Sequence, residues 1–433
     1  MALILEAKDA DDWIYRGEGA ANLVLAYKGS SPAILGKVLR IQKADNKSLP
    51  RNGLVCDNAH LVLSSDECLV WNKTLGLESN PSKEVAQQVY IQRIMQPLLG
   101  TEHVDAGVQV LVSREFLELI EKNVHHERPS WRVDASKIDT LCDSAVLISD
   151  HCIFPTVTLK EKLCFSVEIK PKWGFLPVST FIAEENAIKK SISRFKMHQA
   201  LKFYKNEVTE ISEYDPLDMF SGSIDGIHKA IESLFRTPQN NFRFFLNGRL
   251  INTISVEFED VLKGLIRADD SIPNFIQLLT EGLYKSGLLD RLLEIQKLDT
   301  IDVEGAIHAY YDVISKPCVA CNKVVQGVGL SEKFAVLHSF SLDEKLKIVR
   351  DFLISATAKD LSMMITFELK EDGGLVESSY NSLFLASTNQ SFYYKGSFID
   401  LDMKSLKKMD YYYELDQRIV TFYTKMLKKE PTG

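Results

Sequence analysis

The residues best suited to chemistry lie in segment 166–172, where Glu168, Lys170 and Lys172 are spaced two apart. In a β-strand this spacing puts all three side chains on one face. One carboxylate and two ammonium groups are costly to bury without partners. The segment therefore predicts either a solvated edge strand ended by Pro171, or a phosphate-binding strand at the back of a cleft.

A second group has the residue types of a metal site. His308, Cys318, Cys321 and His338 follow the spacing His-x9-Cys-x2-Cys-x16-His, and the CxxC pair suits tetrahedral Zn²⁺ held by two thiolates and two imidazoles. Four protein ligands would make the zinc structural. A redox pair is disfavoured, because Pro317 precedes the two cysteines instead of lying between them. Unliganded thiols are the other alternative.

Two aspartates are placed like the carboxylates of kinases. Asp360 stands just before the apolar strand 362–367, and Asp400 lies in the returning strand 397–402. Kinase C-lobes carry a catalytic base and a metal ligand in such contexts. An ordinary strand-end aspartate explains either residue alone, whereas the pair favours catalysis. Whether Asp402 joins a metal site is left open.

Polar side chains recur every four residues in two predicted helices. Like charges at this spacing repel each other unless an anion lies between them. The first stripe predicts a solvated face or an anion site, and the second, beside Asp400, predicts phosphate binding. The stripes are Lys190, Arg194, His198 and Lys202, then Lys404, Lys408 and Tyr412 on the closing helix.

The N-terminal elements that position such groups are strands around a small-residue turn. The turn 17–22 contains glycines, which let the backbone approach a bulky anion. Arg40 stands on the third strand where a kinase N-lobe has its ATP-phosphate lysine, and its fork binds phosphate bidentately. A tight hairpin is the alternative, and Asn22 in place of a third glycine disfavours a protein kinase proper. The three strands are 13–16, 23–27 and 34–41.

The rest of the N-terminal third is assigned by composition and periodicity. We predict surface loops at 42–60 and 74–83, a helix at 83–99, strands at 107–112 and 144–148, and an interlobe crossing at 149–151.

Composition limits the class of protein. The chain has 433 residues, 45% of them hydrophobic, and a net charge of −8, which excludes disorder of the whole chain and argues against a nucleic-acid or anionic-membrane binder. No apolar run approaches a transmembrane helix, and the N-terminus does not have the pattern of a signal peptide. Seven cysteines, an odd number, predict a reducing, intracellular compartment. We expect two or three packed units.

Taken together, these motifs resemble the plant-type inositol-pentakisphosphate 2-kinase family, whose members make phytic acid (phytate). The resemblance extends from about residue 1 to about residue 425 and includes the ExKPK motif at 168–172. The other matching segments are 16–23, 193–199, 215–218 and 398–401.

The resemblance implies a bilobal, protein-kinase-like α+β fold with a small β-rich N-lobe and a larger α/β C-lobe that carries an inositol-phosphate-binding insertion. The implied boundaries are 1–148 for the N-lobe, 149–167 for the hinge and 168–433 for the C-lobe. The implied activity is transfer of the ATP γ-phosphoryl group to the 2-hydroxyl of inositol 1,3,4,5,6-pentakisphosphate, with Mg²⁺ and a structural Zn²⁺. A kinase for another inositol phosphate and a non-catalytic phytate-binding protein are the competing interpretations. A monomer in the cytoplasm, and also in the nucleus, with no nucleic-acid or membrane partner, is expected.

The resemblance also assigns roles to single residues. Asp360 would orient or deprotonate the 2-hydroxyl, Asp400 would bind Mg²⁺, and the two histidines and two cysteines would bind zinc. The residues implied to bind ATP are Gly19, Ala20, Ala21, Asn22, Arg40, Ser149, Asp150, His151, Glu168, Ile169, Lys170, Arg243 and Asp400. Those implied to bind the inositol phosphate are Arg132, Lys170, Lys172, Lys202, Asn240, Asp360, Lys404, Lys408 and Tyr412.

Two of these positions depart from the family pattern. Ser149 stands where asparagine is familiar, which puts a side-chain contact to adenine in doubt, and Lys408 stands where arginine is familiar. The charges agree with the resemblance, since five phosphates bring about −7.5 to −10. The six basic residues Arg132, Lys170, Lys172, Lys202, Lys404 and Lys408 would offset most of that charge.

Overall fold

Two β-sheets organise the protein in the computed structural model, which describes residues 3–46, 62–77, 81–154, 163–268, 270–321, 332–370 and 380–429. The first sheet has the strand order β1-β5-β7-β4-β3-β2, with β6 paired to β4. Only β1 and β5 pair in parallel among these described strands. The strands are β1 (Ile4–Leu5), β2 (Trp13–Glu18), β3 (Asn22–Tyr27), β4 (Lys37–Asp45), β5 (Val108–Val112), β6 (Ser136–Ile138) and β7 (Ser144–Ser149).

The second sheet is antiparallel, with the order β10-β9-β8-β11-β13-β12. Its strands are β8 (Cys164–Ile169), β9 (Phe242–Leu246), β10 (Arg249–Ile251), β11 (Ser362–Leu369), β12 (Asn381–Leu385) and β13 (Gln390–Ile399). Strand β8 lies inside this sheet and is buried along its whole length. The alternative of a solvated edge strand at 166–172 is therefore wrong.

The α-helices lie between and after the strands. Their bounds are Ser65–Leu75, Lys83–Tyr90, Gln96–Leu99, Arg114–Val124, Ser130–Ala135, Arg194–Tyr204, Pro216–Met219, Ile224–Arg236, Val256–Leu265, Ser271–Ser286, Leu288–Gln296, Asp302–Val313, Glu332–Ser339, Leu342–Ala358 and Met409–Lys429. A π-helical turn spans Ile91–Met95, and 3-10 turns span Ala7–Asp12, Glu184–Lys190 and Leu406–Lys408. Within the described ranges, no helix is both long and apolar enough to cross a membrane.

Each sheet has a hydrophobic core of its own. The smaller core lies on the first sheet, where Leu23, Leu25, Leu39 and Ile41 are fully buried, because β3 and β4 pair these residues in register. The larger core surrounds the second sheet and also takes in the helices between residues 65 and 99. A mixed α+β fold is thus confirmed.

Most predicted N-terminal elements are confirmed, with two differences. The third strand begins at Lys37, because Gly36 has a left-handed φ of +72°. It continues to Asp45, so the predicted loop 42–60 is wrong at its start, while residues 47–60 lie outside the described residues. In the predicted loop 74–83, residues 78–80 lie outside them too, and a helix extends to Leu75.

Candidate active site

Asp360 lies between two lysines in the turn that joins the helix Leu342–Ala358 to β11. Lys172 Nζ is 3.3 Å from one carboxylate oxygen, and Lys404 Nζ is 2.8 Å from the other. Burial by itself raises the pKa of Asp360, but the two ammonium charges outweigh it and hold the pKa at about 2. The group is therefore an ionised acceptor at neutral pH.

Asp400 reaches the same edge of the sheet through the register of the strands. Because Ser362 pairs with Ile399, the start of β11 and the end of β13 lie side by side. Asp400 then accepts a hydrogen bond of 3.1 Å from Lys170 Nζ and has a left-handed φ of +61°. Burial lowers the pKa of Lys170, but the charges of Asp400 and Glu168 have the larger opposite effect. The pKa is therefore raised overall and the ammonium stays charged.

Glu168 and Lys172 do not share one exposed strand face as the alternation predicts. Glu168 is buried in β8, where it accepts hydrogen bonds of 2.8 Å from the Ser362 hydroxyl and 3.4 Å from Arg243. The strand ends at Ile169, and Lys172 lies beyond it with a φ of +62°. The two lysines meet the aspartates because the chain turns after β8.

Arg40, on β4 next to the Gly-rich turn between β2 and β3, connects the first sheet with this edge of the second. Residues 19–21 are exposed, and a Cβ at Gly17 or Gly19 would meet nothing within 4 Å. Arg40 Nη2 contacts both carboxylate oxygens of Asp402 at 2.6 and 2.7 Å, and with the Asn22 amide turned so that its oxygen faces the guanidinium, it contacts that oxygen at 2.8 Å. Asp402 is thus directed toward the first sheet.

The crossing between the sheets is held by its own polar contacts. Lys37 Nζ donates to the Ser149 hydroxyl at 3.0 Å, and Asp150 forms a 2.5 Å ion pair with Arg16. The His151 carbonyl accepts a hydrogen bond of 2.6 Å from the Thr366 hydroxyl. Burial lowers the pKa of the His151 imidazole to about 4.

The two predicted stripes are wrong as continuous helical faces. The closing helix begins at Met409, so Lys404 lies in the preceding loop and Lys408 in a 3-10 turn. Tyr412 is in the first turn of the helix, where burial and the nearby charge of Asp360 raise its pKa to about 12. Lys404 and Tyr412 are therefore both close to Asp360.

The first stripe breaks in the same way. Lys190 ends a separate 3-10 turn, and the helix carrying Arg194, His198 and Lys202 begins after the N-cap Ser193. Burial, together with the charges of Arg194 and Lys202, lowers the pKa of His198 to about 3, so the imidazole is neutral.

The other predicted substrate residues lie on separate elements. Arg132 stacks over Trp131 at 4.1 Å in the helix Ser130–Ala135 beside the first sheet, while Asn240 is exposed just before β9.

Ion pairs that hold the Gly-rich turn have no signal in the sequence. Glu18 is buried between Lys43 and Arg128, with Arg128 Nε 2.9 Å from the carboxylate. Lys43 Nζ also donates to the Gly19 carbonyl at 2.7 Å. Arg128 is 110 residues from Glu18 in the chain, so no local spacing could have indicated this cluster.

The two histidines and two cysteines converge as predicted. One ligand atom from each of His308, Cys318, Cys321 and His338 lies within 4.8 Å of the others. The second ring nitrogen of His338 contacts Asp312 at 2.9 Å, the carboxylate–histidine arrangement that orients metal ligands. This donor set fits tetrahedral zinc.

Comparison with known proteins identifies the family. Residues 15–418 match the model of the inositol-pentakisphosphate 2-kinase family. The chain belongs to this family. It is 51% identical to the inositol-pentakisphosphate 2-kinase of Arabidopsis thaliana, covering 100% of this chain and 98% of that protein. Identity to the corresponding kinase of Oryza sativa subsp. indica is 50% over 98% and 96% of the two chains. It is 27% to that of Danio rerio, over 99% and 96%.

Proposed function

We propose that this protein transfers the γ-phosphoryl group of ATP to the 2-hydroxyl of inositol 1,3,4,5,6-pentakisphosphate and so forms the hexakisphosphate. The observation that carries the proposal is the edge of the second sheet, where Asp360 lies between Lys172 and Lys404 and Asp400 pairs with Lys170. Two carboxylates among lysines suit a reaction that joins a metal-bound nucleotide to a polyanionic acceptor. Family membership supports both the kinase class and the acceptor.

We infer that the two sheets are the lobes of a protein-kinase-like fold. The first sheet with its Gly-rich turn would form the N-lobe within residues 1–148, residues 149–167 would be the hinge, and residues 168–433 would form the C-lobe with its inositol-phosphate-binding insertion. The separate hydrophobic cores of the two sheets support this division.

The nucleotide would lie between the Gly-rich turn and the second sheet. Gly19 to Asn22 and Arg40 would cover its phosphates, and Ser149 to His151 would contact adenine. Glu168, Ile169, Lys170 and Arg243 would line the opposite side. Asp400 would bind the magnesium ion, which screens charge on the phosphates.

The acceptor would lie against the basic side chains around Asp360. Lys172, Lys404 and Tyr412 are already close to this carboxylate. Lys202 and Asn240 would extend the phosphate contacts on the C-lobe side. Lys408 would add a further charge, and Arg132 would approach from the N-lobe.

Asp360 would act mainly by orienting the hydroxyl. A carboxylate with a pKa of about 2 is a weak base but accepts a hydrogen bond well. The transition state of phosphoryl transfer is loose, so positioning and charge stabilisation supply most of the catalysis. The lysines and Arg40 would stabilise the charge on the transferred group.

The Cys₂His₂ cluster would bind one structural zinc ion. Zinc there would fasten the segment around Cys318 and Cys321 to the helices Asp302–Val313 and Glu332–Ser339. The cluster contains four protein ligands, so it would leave no open position for chemistry.

The proposal is tested by rates with Mg-ATP across a panel of inositol phosphates that carry two to five phosphates at different positions. We expect the 1,3,4,5,6-pentakisphosphate to give the highest kcat/KM and hexakisphosphate as product. Preference for another acceptor would identify a different inositol phosphate kinase. Binding of the hexakisphosphate by folded protein without turnover would indicate a non-catalytic phytate-binding protein.

A further inference from the structure

Hydrogen bonds hold successive backbone groups of the segment that carries Lys172. The Lys170 N–H donates to the Asn241 carbonyl at 2.9 Å. The hydroxyl of Tyr214, a fully buried residue, donates to the Pro171 carbonyl at 2.7 Å. These contacts fix the chain up to the peptide of Lys172.

The next contacts come from one side chain, Gln296, which ends the helix Leu288–Gln296 and is 0% exposed. Its Nε2 donates to the Lys172 carbonyl at 2.8 Å, and its Oε1 accepts from the Gly174 N–H at 2.9 Å. The amide therefore holds the backbone on both sides of Trp173.

The same amide also reaches the segment that carries Asp360. Its Nε2 donates a second hydrogen bond, of 3.1 Å, to the Ala358 carbonyl, two residues before Asp360. The Ser355 hydroxyl in turn donates to the backbone carbonyl of Gln296 at 2.5 Å. Both hydrogens of the amide nitrogen are used, one on each segment.

The backbone at Lys172 needs such support. Its φ of +62° is left-handed, a conformation in which the Cβ of a non-glycine residue crowds the backbone. Conformations of this kind persist where the surrounding structure holds them. The Lys172 carbonyl that Gln296 binds belongs to this strained residue.

We propose that Gln296 is a positioning residue for phosphoryl transfer, because its amide ties the backbone of Lys172 to the backbone that carries Asp360. The proposal rests on the function proposed above, in which Lys172 binds an acceptor phosphate and Asp360 orients the hydroxyl. Displacement of either segment would separate the phosphate contact from the hydroxyl contact. Errors of about 1 Å in such geometry reduce rates by about 10²-fold.

The test compares two substitutions in the full-length protein. Gln296→Met keeps the side-chain length and removes all three hydrogen bonds of the amide. Its matched control is Gln390→Met. Gln390 is 5% exposed and also clamps backbone, with bonds of 3.1 Å to the Leu265 carbonyl and 2.9 Å from the Arg267 N–H. It begins β13, about 30 Å along the strand from Ile399.

For Gln296→Met we expect KM for the pentakisphosphate to rise at least about fivefold and kcat to fall at least about tenfold. KM for ATP should stay within about twofold, because the Gln296 amide contacts the backbone only at Lys172, Gly174 and Ala358, whereas Lys170 is held separately by the Asn241 carbonyl. A loss of folded protein lowers apparent kcat without changing KM, so the KM separates positioning from stability. Gln390→Met should lose similar stability with both KM values unchanged.

If the wild type forms the hexakisphosphate and the folded Gln296→Met protein has an unchanged KM for the pentakisphosphate, the inference is overturned and the proposed function stands. If the methionine variant does not fold, Gln296→Glu keeps the volume and the acceptor, and a buried carboxyl that is protonated donates to only one of the two carbonyls, so one of the two segments is released and the same KM criterion applies. A wild type that forms no hexakisphosphate would overturn the proposed function, and the inference with it.

Discussion

At the scale of single residues, Asp400 and Asp360 have different surroundings, so substitution of each should impair a different part of the reaction. Asp400 is half-exposed and pairs with one lysine, as suits a metal ligand, whereas Asp360 is held between two lysines. Replacing Asp400 should weaken metal binding, and replacing Asp360 should leave the acceptor hydroxyl poorly oriented.

We predict that Asp400→Asn lowers kcat at least about a hundredfold without unfolding the protein. An amide binds Mg²⁺ weakly, and a catalytic metal ion supplies several kcal/mol of charge stabilisation. Asparagine tolerates the left-handed backbone of this position, so the fold should persist. Steady-state kinetics and circular dichroism check both points. The control is Asp351→Asn, which alters a surface pair with Lys347, and wild-type turnover in a folded Asp400→Asn protein would contradict the metal assignment.

The lowered pKa of Asp360 predicts a pH dependence of stability. The folded value of about 2 lies below the ordinary 3.8, so its ionised carboxylate contributes stability that is complete above about pH 4 and is lost as pH falls toward 2. The difference in unfolding free energy between wild type and Asp360→Asn should therefore be constant from neutral pH down to about pH 5 and shrink below about pH 4. Urea unfolding at a series of pH values measures it. A difference that instead grows as pH falls from 7 to 5 would mean that the folded pKa of Asp360 is raised, as in a general base, and would contradict the lowered value.

At the scale of elements, strand register brings the site together. The pairing of β8, β11 and β13 puts Lys170, Asp360 and Asp400 at one edge, although they are far apart in the chain. The strands, and the charged residues in or next to them, were predictable from alternation and apolar runs. The central position of β8 was not, because a six-residue strand looks the same at an edge and inside a sheet until its partners are known.

The helical stripes show a second limit of sequence reasoning. Four-residue spacing indicates one face only if the helix is continuous. Here one helix begins at Arg194, after Lys190, and the other begins at Met409, after both Lys404 and Lys408. Lys404 still contacts Asp360 at 2.8 Å, from a loop, and Tyr412 lies near enough for the Asp360 charge to raise its pKa, from the start of the helix. The hydrogen bonds of Gln296 and the contact between Arg40 and Asp402 gave no sequence signal, because the partners lie in distant segments.

The zinc cluster predicts a stability effect at this scale. Cys318→Ser with Cys321→Ser should remove the proposed zinc ion, one per chain, and lower the melting temperature by several degrees, because the ion would join three segments. Metal analysis and calorimetry measure the two effects. Cys68→Ser, at a half-exposed cysteine outside the cluster, should keep both zinc and stability. Wild-type protein purified without chelators that contains no zinc would refute the site.

At the scale of the whole molecule, an acidic chain with a net charge of −8 carries a local cluster of lysines. Lys170, Lys172 and Lys404 converge on two carboxylates, Asp400 and Asp360, which offset part of their charge, and a bound polyanion would compete for these lysines. This arrangement favours a small, highly charged ligand over an extended one such as nucleic acid.

We predict that inositol hexakisphosphate raises the melting temperature. A ligand at about 100 times its Kd stabilises the folded state by about 2.7 kcal/mol, and added salt should reduce the shift by screening. Lys172→Gln with Lys404→Gln should abolish it, whereas the exposed surface pair Lys229→Gln with Lys285→Gln should retain it. Equal shifts in both double variants would place the polyanion elsewhere.

The most direct measurement of the central claim is phosphorus NMR of the product formed from Mg-ATP and inositol 1,3,4,5,6-pentakisphosphate. We predict a sixth phosphomonoester on the 2-carbon, because Asp360 would orient that hydroxyl for attack. A diphosphate signal would show transfer to an existing phosphate, and an unchanged substrate with folded, zinc-loaded protein would show no transfer. Either result would contradict the proposed function.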